Sequence, residues 1–203
     1  MKQLVIIGAS GHGKVVADIA RKNGYDKIVF LDDNENLINC GGYSIAGKSN
    51  QFVDYDCDMI VAIGNAKIRQ HIQEKIDAAG KHIATLIHPN AVIAENVTIG
   101  KGSVVMAGAV INPCTVIGQG CIVNTCSSVD HDCIIGDYAH ISVGAHIAGT
   151  VNVGSRTWIG AGATVSNNIN ICGDCMIGAG AVVIRNINDT GTYIGVPARR
   201  NIE

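Results

Sequence analysis

No apolar run in the chain approaches the roughly 20 residues of a membrane span, and Met1 to Gly8 lacks the basic start, apolar stretch and small-residue cleavage site of a secretory leader. The expected setting is the cytoplasm. Charge of one sign is also missing: 15 Lys and Arg stand against 17 Asp and Glu, a formal charge of −2, which excludes the broad basic field that nucleic acid or an anionic membrane would require. The only Cys-x-x-Cys, Cys172-Gly-Asp-Cys175, has no second copy to complete four zinc ligands, so no metal is expected. Aromatic residues are scarce at 4%, but 47% of the 203 residues are hydrophobic and 25 are glycine, enough for one or two cores. The 8 cysteines, in a chain of this length and setting, are expected to be reduced, small and buried.

The pattern changes near residue 88. Before it, short β-branched runs alternate with helical ones: Leu4 to Ile7, Lys14 to Asn23, Ile28 to Leu31, Met59 to Ile63, Ala66 to Ala79, and Ile83 to Ile87. Strands alternating with helices predict a small parallel, Rossmann-like α/β half-sheet over 1–88. From Ile93 the sequence repeats every six residues, and the leading position is Ile or Val at each step through Ile111, Ile117, Ile135 and Ile141 to Val183. Four residues after each lies a mostly small residue, among them Ser103, Ala109, Thr115, Cys121, Cys133, Ala145 and Cys175. A six-residue period with two inward columns predicts a parallel β-helix over 89–203, an all-β prism of about five coils and, at strand spacing, roughly 24 Å of height. No residue interrupts the period, so no loop is expected to project.

Gly8-Ala-Ser10-Gly11-His12-Gly13 follows the first predicted strand and opens the first helix, so its backbone N–H groups can cradle a phosphate. Its GxxGxG spacing differs from the dinucleotide GxGxxG, and no second mononucleotide unit follows, which argues against a nicotinamide. Asp32 and Asp33 end the second strand and Gly64-Asn65 the third, on the carboxyl edge where open α/β sheets bind ligands. In the prism, His131 stands at a corner, off both inward columns and between Asp130 and Asp132, which would stabilise an imidazolium and raise its basicity. That suits a general base, although a corner histidine is also an ordinary solvated residue. Trp158 lies eighteen residues beyond His140 and so stacks one coil above it; packing between subunits is the alternative role for the tryptophan. His71, His82 and His88 have no informative context.

Hexads such as Ile99-Gly, Ile117-Gly, Ile135-Gly and Ile177-Gly, with the ending Gly195-Val-Pro-Ala-Arg-Arg200, resemble the hexapeptide-repeat acyltransferases. A narrower set, Ile7 to Gly13, Leu31-Asp-Asp33, Ala62-Ile-Gly-Asn65, Asn124 to Asp132 and His140 to Gly144, resembles the bacterial sugar O/N-acyltransferases, which include bacillosamine N-acetyltransferases and sialic acid O-acetyltransferases. The resemblance implies left-handed coils and a homotrimer with active sites between subunits. It implies acetyl-CoA as co-substrate and a nucleotide-activated amino sugar as acceptor, bound by Ser10, Gly11, His12, Gly13, Asp32, Asp33, Gly64, Asn65 and Asn124. By the same resemblance His131 and Asp132 are catalytic, while His140, Gly149, Trp158, Ala161, Ala179 and Arg199 meet coenzyme A. Arg199 and Arg200 either pair with its phosphates or solvate the tail. The bacillosamine branch carries Glu where this chain has Asp132; Asp there resembles the sialic acid branch.

The expected activity is acetylation of the 4-amino group of a nucleotide-linked, UDP-type aminodideoxy sugar. Three alternatives stay open: O-acetylation of sialic acid or another hydroxyl sugar, a zinc hydratase like the γ-class carbonic anhydrases that share the prism and could use His146 beside His131 and His140, and a non-catalytic sugar-nucleotide sensor.

Overall fold

The computed structural model describes residues 1–201, and the chain divides into two compact units, Met1–Pro89 and Asn90–Glu203. No helix of the described residues is long and apolar enough to cross a membrane.

In the first unit β1 (Gln3–Ile7) leads into α1 (Gly11–Lys22) and β2 (Lys27–Leu31). There follow β3 (Asn39–Cys40), β4 (Tyr43–Gly47), a 3-10 turn at Ser49–Asp54, β5 (Asp58–Val61) and α2 (Ala66–Ala78). The sheet order is β3-β4-β2-β1-β5, with β1 parallel to both of its neighbours. As the central strand, β1 is apolar on both faces, and Leu4, Val5, Ile6 and Ile7 are all buried. One face packs Val5, Ile7, Leu31, Phe52, Met59, Val61, Ile76 and Ile83 into a single core. The chain leaves β1 toward β2 on one side and β5 on the other, so the strand order reverses at the carboxyl end of β1, the place where such sheets hold ligands.

Three local features differ from the sequence expectation. The helix begins at Gly11 rather than Lys14, so the glycine loop is itself the first helical turn. The β3–β4 hairpin is only half-buried and lacks a strong apolar alternation, which left it silent in the sequence. The run Ile83 to Ile87 is split into a single bridge from Ile83 to Met59 and a two-residue strand, Leu86–Ile87.

The second unit is a prism of two-residue strands spaced six apart, from Val92–Ile93 to Val182–Val183. Every pairing is parallel and joins residues eighteen apart, as in Ile111 to Val129 and Ile141 to Ile159. One face carries the strands at 92, 110, 128, 146, 164 and 182, a second those at 98, 116, 134, 152 and 170, and a third those at 104, 122, 140, 158 and 176. The leading Ile/Val column is buried from Val105 upward and the small column from Ser103 upward. The small column also satisfies backbone polarity. Thr115 Oγ1 donates to Asp130 O at 2.7 Å and accepts from Cys133 N at 3.3 Å, and Thr157 Oγ1 repeats the pattern with Cys172 O and Cys175 N.

All 8 cysteines are free, but Cys114 and Cys126 are exposed, contrary to the expectation that they are buried. They occupy corner positions with φ of 62° and 55°, where the chain turns between faces and the side chain points away from the core.

Since inward and outward residues alternate within each strand, Ile141→Ala should cost about 2–5 kcal/mol of unfolding free energy. Ile134→Ala, at an exposed position, should change it by no more than about 0.5 kcal/mol. Denaturant melts of the two variants check the assignment of faces, and equal losses would contradict it.

Candidate active site

At the corner joining the first and second faces, Asp132 adopts a left-handed conformation, φ 57°, one of the few open to aspartate. The turn brings His131 Nδ1 to 2.7 Å from Asp132 Oδ2. With Nδ1–H donated to the carboxylate, Nε2 is the proton-accepting nitrogen. On the other side the His131 N–H donates to Asp130 Oδ1 at 2.8 Å, and the same oxygen accepts from Asn112 Nδ2 at 2.7 Å, one coil below. The Asn112 amide and the His131 N–H hold the Asp130 carboxyl below its usual range, so it stays anionic. The hydrogen bond to Asp132, followed by the charge of Asp130, raises the His131 pKa above 6.5. One coil above, Gly149 lies against the ring: a Cβ there would stand 2.6 Å from His131 Nε2. Glycine at 149 therefore gives the imidazole its room. Neither Asn112 nor Thr115, which holds the Asp130 carbonyl, was given a site role by the sequence; the signal available was the eighteen-residue spacing of Asn112 from Asp130 and of Thr115 from Cys133.

A second cluster occupies the third face and its edge. His140 and Trp158 stack with centroids 4.8 Å apart and planes at 29°. Asn124 Nδ2 lies 3.1 Å from His140 Nε2, and Trp158 Nε1 donates to Ser142 Oγ at 2.5 Å. Above Asn124 the edge continues through exposed Ala161 and Ala179, and the strand Thr192–Ile194 extends the face toward Arg199. Asn124, His140, Trp158, Ala161, Ala179 and Arg199 thus share one side of the prism. His131, Asp132 and Gly149 do not: their corner stands across the prism from the third face. The third face bears no second copy of His131.

In the first unit Gly8, φ 111°, turns the chain out of β1, and Gly13 packs directly on the Gly8 carbonyl. Ser10 caps α1 without a side-chain hydrogen bond, so the first-turn N–H groups lie open to an anion. Asp32 Oδ2 accepts from Ala9 N at 2.6 Å and its Oδ1 from Asn34 N; Asp33 accepts from the backbone and hydroxyl of Ser49. Both carboxylates therefore brace loops at the carboxyl edge. Asn65 caps α2 through Ile68 N, and the buried Arg69 donates to Ile63 O and Gly64 O at 2.7 and 2.9 Å. Arg69 escaped the sequence reading because an arginine one turn into a polar helix looks solvated. Burial, then the Arg69 charge, lower His12 from 6.5 to about 4, and its enclosed Nε2 has no partner among the described residues. His12 is therefore a neutral hydrogen-bonding group beside the glycine loop at neutral pH.

That depression has a stability consequence with a definite sign. Between pH 6.5 and about 4 the unfolded chain binds the His12 proton and the folded chain does not, so stability falls as the pH is lowered through this window. His12→Gln should remove part of that fall, up to about 3 kcal/mol, measured as the difference between unfolding free energies at the two ends of the window. Parallel pH curves for the two proteins would contradict it.

Comparison with known proteins agrees with this architecture. The PglD N-terminal domain family matches residues 3–76, and the bacterial transferase hexapeptide family matches residues 84–113. UDP-N-acetylbacillosamine N-acetyltransferase of Bacillus subtilis (strain 168) is 35% identical over 113 residues, which is 53% of this chain; the match spans about half, 52%, of that relative. The acetyltransferase domain of PglB from Neisseria gonorrhoeae FA1090, solved with acetyl coenzyme A, is 40% identical across 98% of this chain and 99% of its own, with a TM-score of 0.95. PerB from Caulobacter crescentus, solved with CoA and GDP-perosamine, is 35% identical across 99% and 98%, with a TM-score of 0.94. The fold is a Rossmann-like half-sheet followed by a left-handed parallel β-helix. From one end to the other, the chain belongs to the hexapeptide-repeat sugar acetyltransferases that carry a PglD-type N-terminal domain.

Proposed function

We propose that this protein transfers the acetyl group of acetyl-CoA to the 4-amino group of a nucleotide-linked aminodideoxy sugar. The observation that carries the reading is the His131–Asp132 pair, with Nδ1–H committed to a carboxylate and Nε2 left as the basic nitrogen. The amine attacks the thioester carbonyl, His131 Nε2 takes the proton it sheds, and the tetrahedral adduct collapses with departure of the coenzyme A thiolate. Asp132 holds the imidazole tautomer and stabilises the imidazolium, and Asp130, kept anionic by Asn112, adds to that stabilisation. No covalent acyl-enzyme is required.

The glycine loop and first turn of α1 receive the diphosphate, with Ser10, Gly11, His12 and Gly13 nearest to it and Gly64 and Asn65 beside it. Asp32 and Asp33 shape the edge on which the nucleoside rests. The nucleotide is UDP in this reading; the relatives are named for a UDP sugar in one case and a GDP sugar in another, so the base is the part that a substrate panel decides. Acetyl-CoA runs along the third face, with His140 and Trp158 at its thioester half, Ala161 and Ala179 along the pantetheine arm, and Arg199 at the nucleotide end. Because His131 stands across the prism from that face, we infer a homotrimer in which His131 of one subunit meets the Asn124, His140 and Trp158 face of another.

A thiol-release assay with acetyl-CoA and UDP-, GDP- and dTDP-linked 4-amino sugars, with free sialic acid as the hydroxyl control, tests the reaction. Turnover confined to one nucleotide amino sugar is expected, and turnover with sialic acid alone would overturn the reading. His131→Ala should lower kcat by about 10² or more. A base must be unprotonated to act, so kcat/KM should rise with pH through the elevated pKa of His131. Asp132→Asn removes the main cause of that elevation, and the acid limb of the profile should move to lower pH. An unmoved limb would take Asp132 out of the assignment.

A further inference from the structure

Two sulfur atoms at the end of the prism stand outside the acetyl-transfer machinery. On the second face, the residue after each inward Ile or Val is Gly100, Gly118, Gly136 and Gly154, and then Cys172. The glycines are enforced by the coil above. A Cβ at Gly100 would lie 2.5 Å from Gln119 N, one at Gly118 2.7 Å from Asp137 N, and one at Gly136 2.6 Å from Ser155 N. Cys172 can carry a side chain because the regular hexads end at Val183. The chain passes over it instead as a closing segment, with Cys172 N donating to Ile187 O at 2.8 Å. Cys175 is the inward small residue of the same hexad and is buried. The end of the repeat thus brings Cys172 Sγ and Cys175 Sγ to 3.4 Å.

The intervening turn is held before any reaction. Asp174 is left-handed, φ 57°, and Arg156 grips its carboxylate through Nε at 2.9 Å and Nη2 at 2.6 Å. Cys172 is half-buried and reachable, whereas burial and the neighbouring sulfur push the Cys175 thiol up to about 12. A disulfide needs the sulfurs at about 2.05 Å, an approach of about 1.4 Å that the outer side chain can make.

The geometry points to a redox-active dithiol: Cys172 and Cys175 close to a reversible intrachain disulfide on reaction with a low-molecular-weight disulfide. The Cys172 thiolate attacks one sulfur of the oxidant, forming a mixed disulfide and expelling one thiol. Cys175, on losing its proton to solvent, attacks Cys172 Sγ and expels the second thiol. Two S–H bonds are lost, one S–S bond forms, and two electrons reduce the oxidant to two thiols. Closure removes the Cys175 S–H that donates to Asp189 O at 3.7 Å, the same carbonyl that accepts from Tyr193 Oη at 2.8 Å. The neighbouring Thr190 O anchors Arg200 Nη2 at 2.8 Å, so the bond forms beneath the segment that fastens the C-terminal tail.

The test is incubation of the full chain with oxidised glutathione at mildly alkaline pH, followed by alkylation of remaining thiols and peptide mass mapping. The peptide holding both residues should lose the mass of two hydrogens and carry no glutathione, and dithiothreitol should reverse the change. Exposed Cys114 and Cys126 should retain glutathione and so show that the reagent acted. Cys175→Ser should stop Cys172 at the mixed disulfide, and Cys172→Ser should leave Cys175 free. A wild-type Cys172 that keeps glutathione, or a pair that stays reduced while Cys114 is modified, would overturn the proposal. None of these readouts depends on acetyl transfer.

Discussion

The vertical register of the prism, residue over residue at an interval of eighteen, is the constraint on which the candidate site residues depend. From Gly108 upward each corner turns through a left-handed residue whose N–H reaches a carbonyl one coil below, as Asp132 N reaches Pro113 O at 3.1 Å. Such a lattice leaves no freedom to shift one coil without shifting all those above. Asn112 therefore meets Asp130, Gly149 lies against His131, and Trp158 stacks on His140 because of where they fall in a count of six. A single residue inserted between the two members of any one of these pairs would turn the upper member's column inward and dissolve that pair.

The two units supply different chemistry by different physical means. The α/β unit offers backbone: a glycine loop, a helix start whose N-cap makes no side-chain hydrogen bond, and the Asp32 and Asp33 carboxylates, which brace loops rather than project from them. Burial, and then the charge of the buried Arg69 that holds the loop after β5, keep His12 neutral. The prism offers side chains on a rigid lattice. There the imidazole is exposed, and its basicity comes from flanking carboxylates rather than from burial.

Polarity inside the prism is handled by the column that the sequence marked only as small. Thr115 and Thr157 bridge successive coils, and Cys133 does so less tightly, its Sγ donating to Ala148 O at 3.2 Å and accepting from Val151 N at 3.4 Å. The inward cysteines thus serve as compact polar packing, while Cys114, Cys126 and Cys172 lie outside that role for reasons of corner geometry and of the terminated repeat.

Much of the molecule was legible in one dimension because its contacts recur at fixed intervals. The period of six named the prism, both inward columns, the corner position of His131 and the His140–Trp158 stack. In the α/β unit, the glycine spacing and alternating runs located the central strands and their carboxyl edge. What the sequence could not carry were contacts with no period. The β3–β4 hairpin pairs polar, half-buried residues, and Asp32 turned inward to Ala9 N. Arg69 is buried although its helix is largely polar. Placing His131 across the prism from His140 required the order of the three faces in space, since nine residues of separation is a length along the chain and not a direction. Periodicity determined which residues share a column; only the folded coil decided which columns face one another.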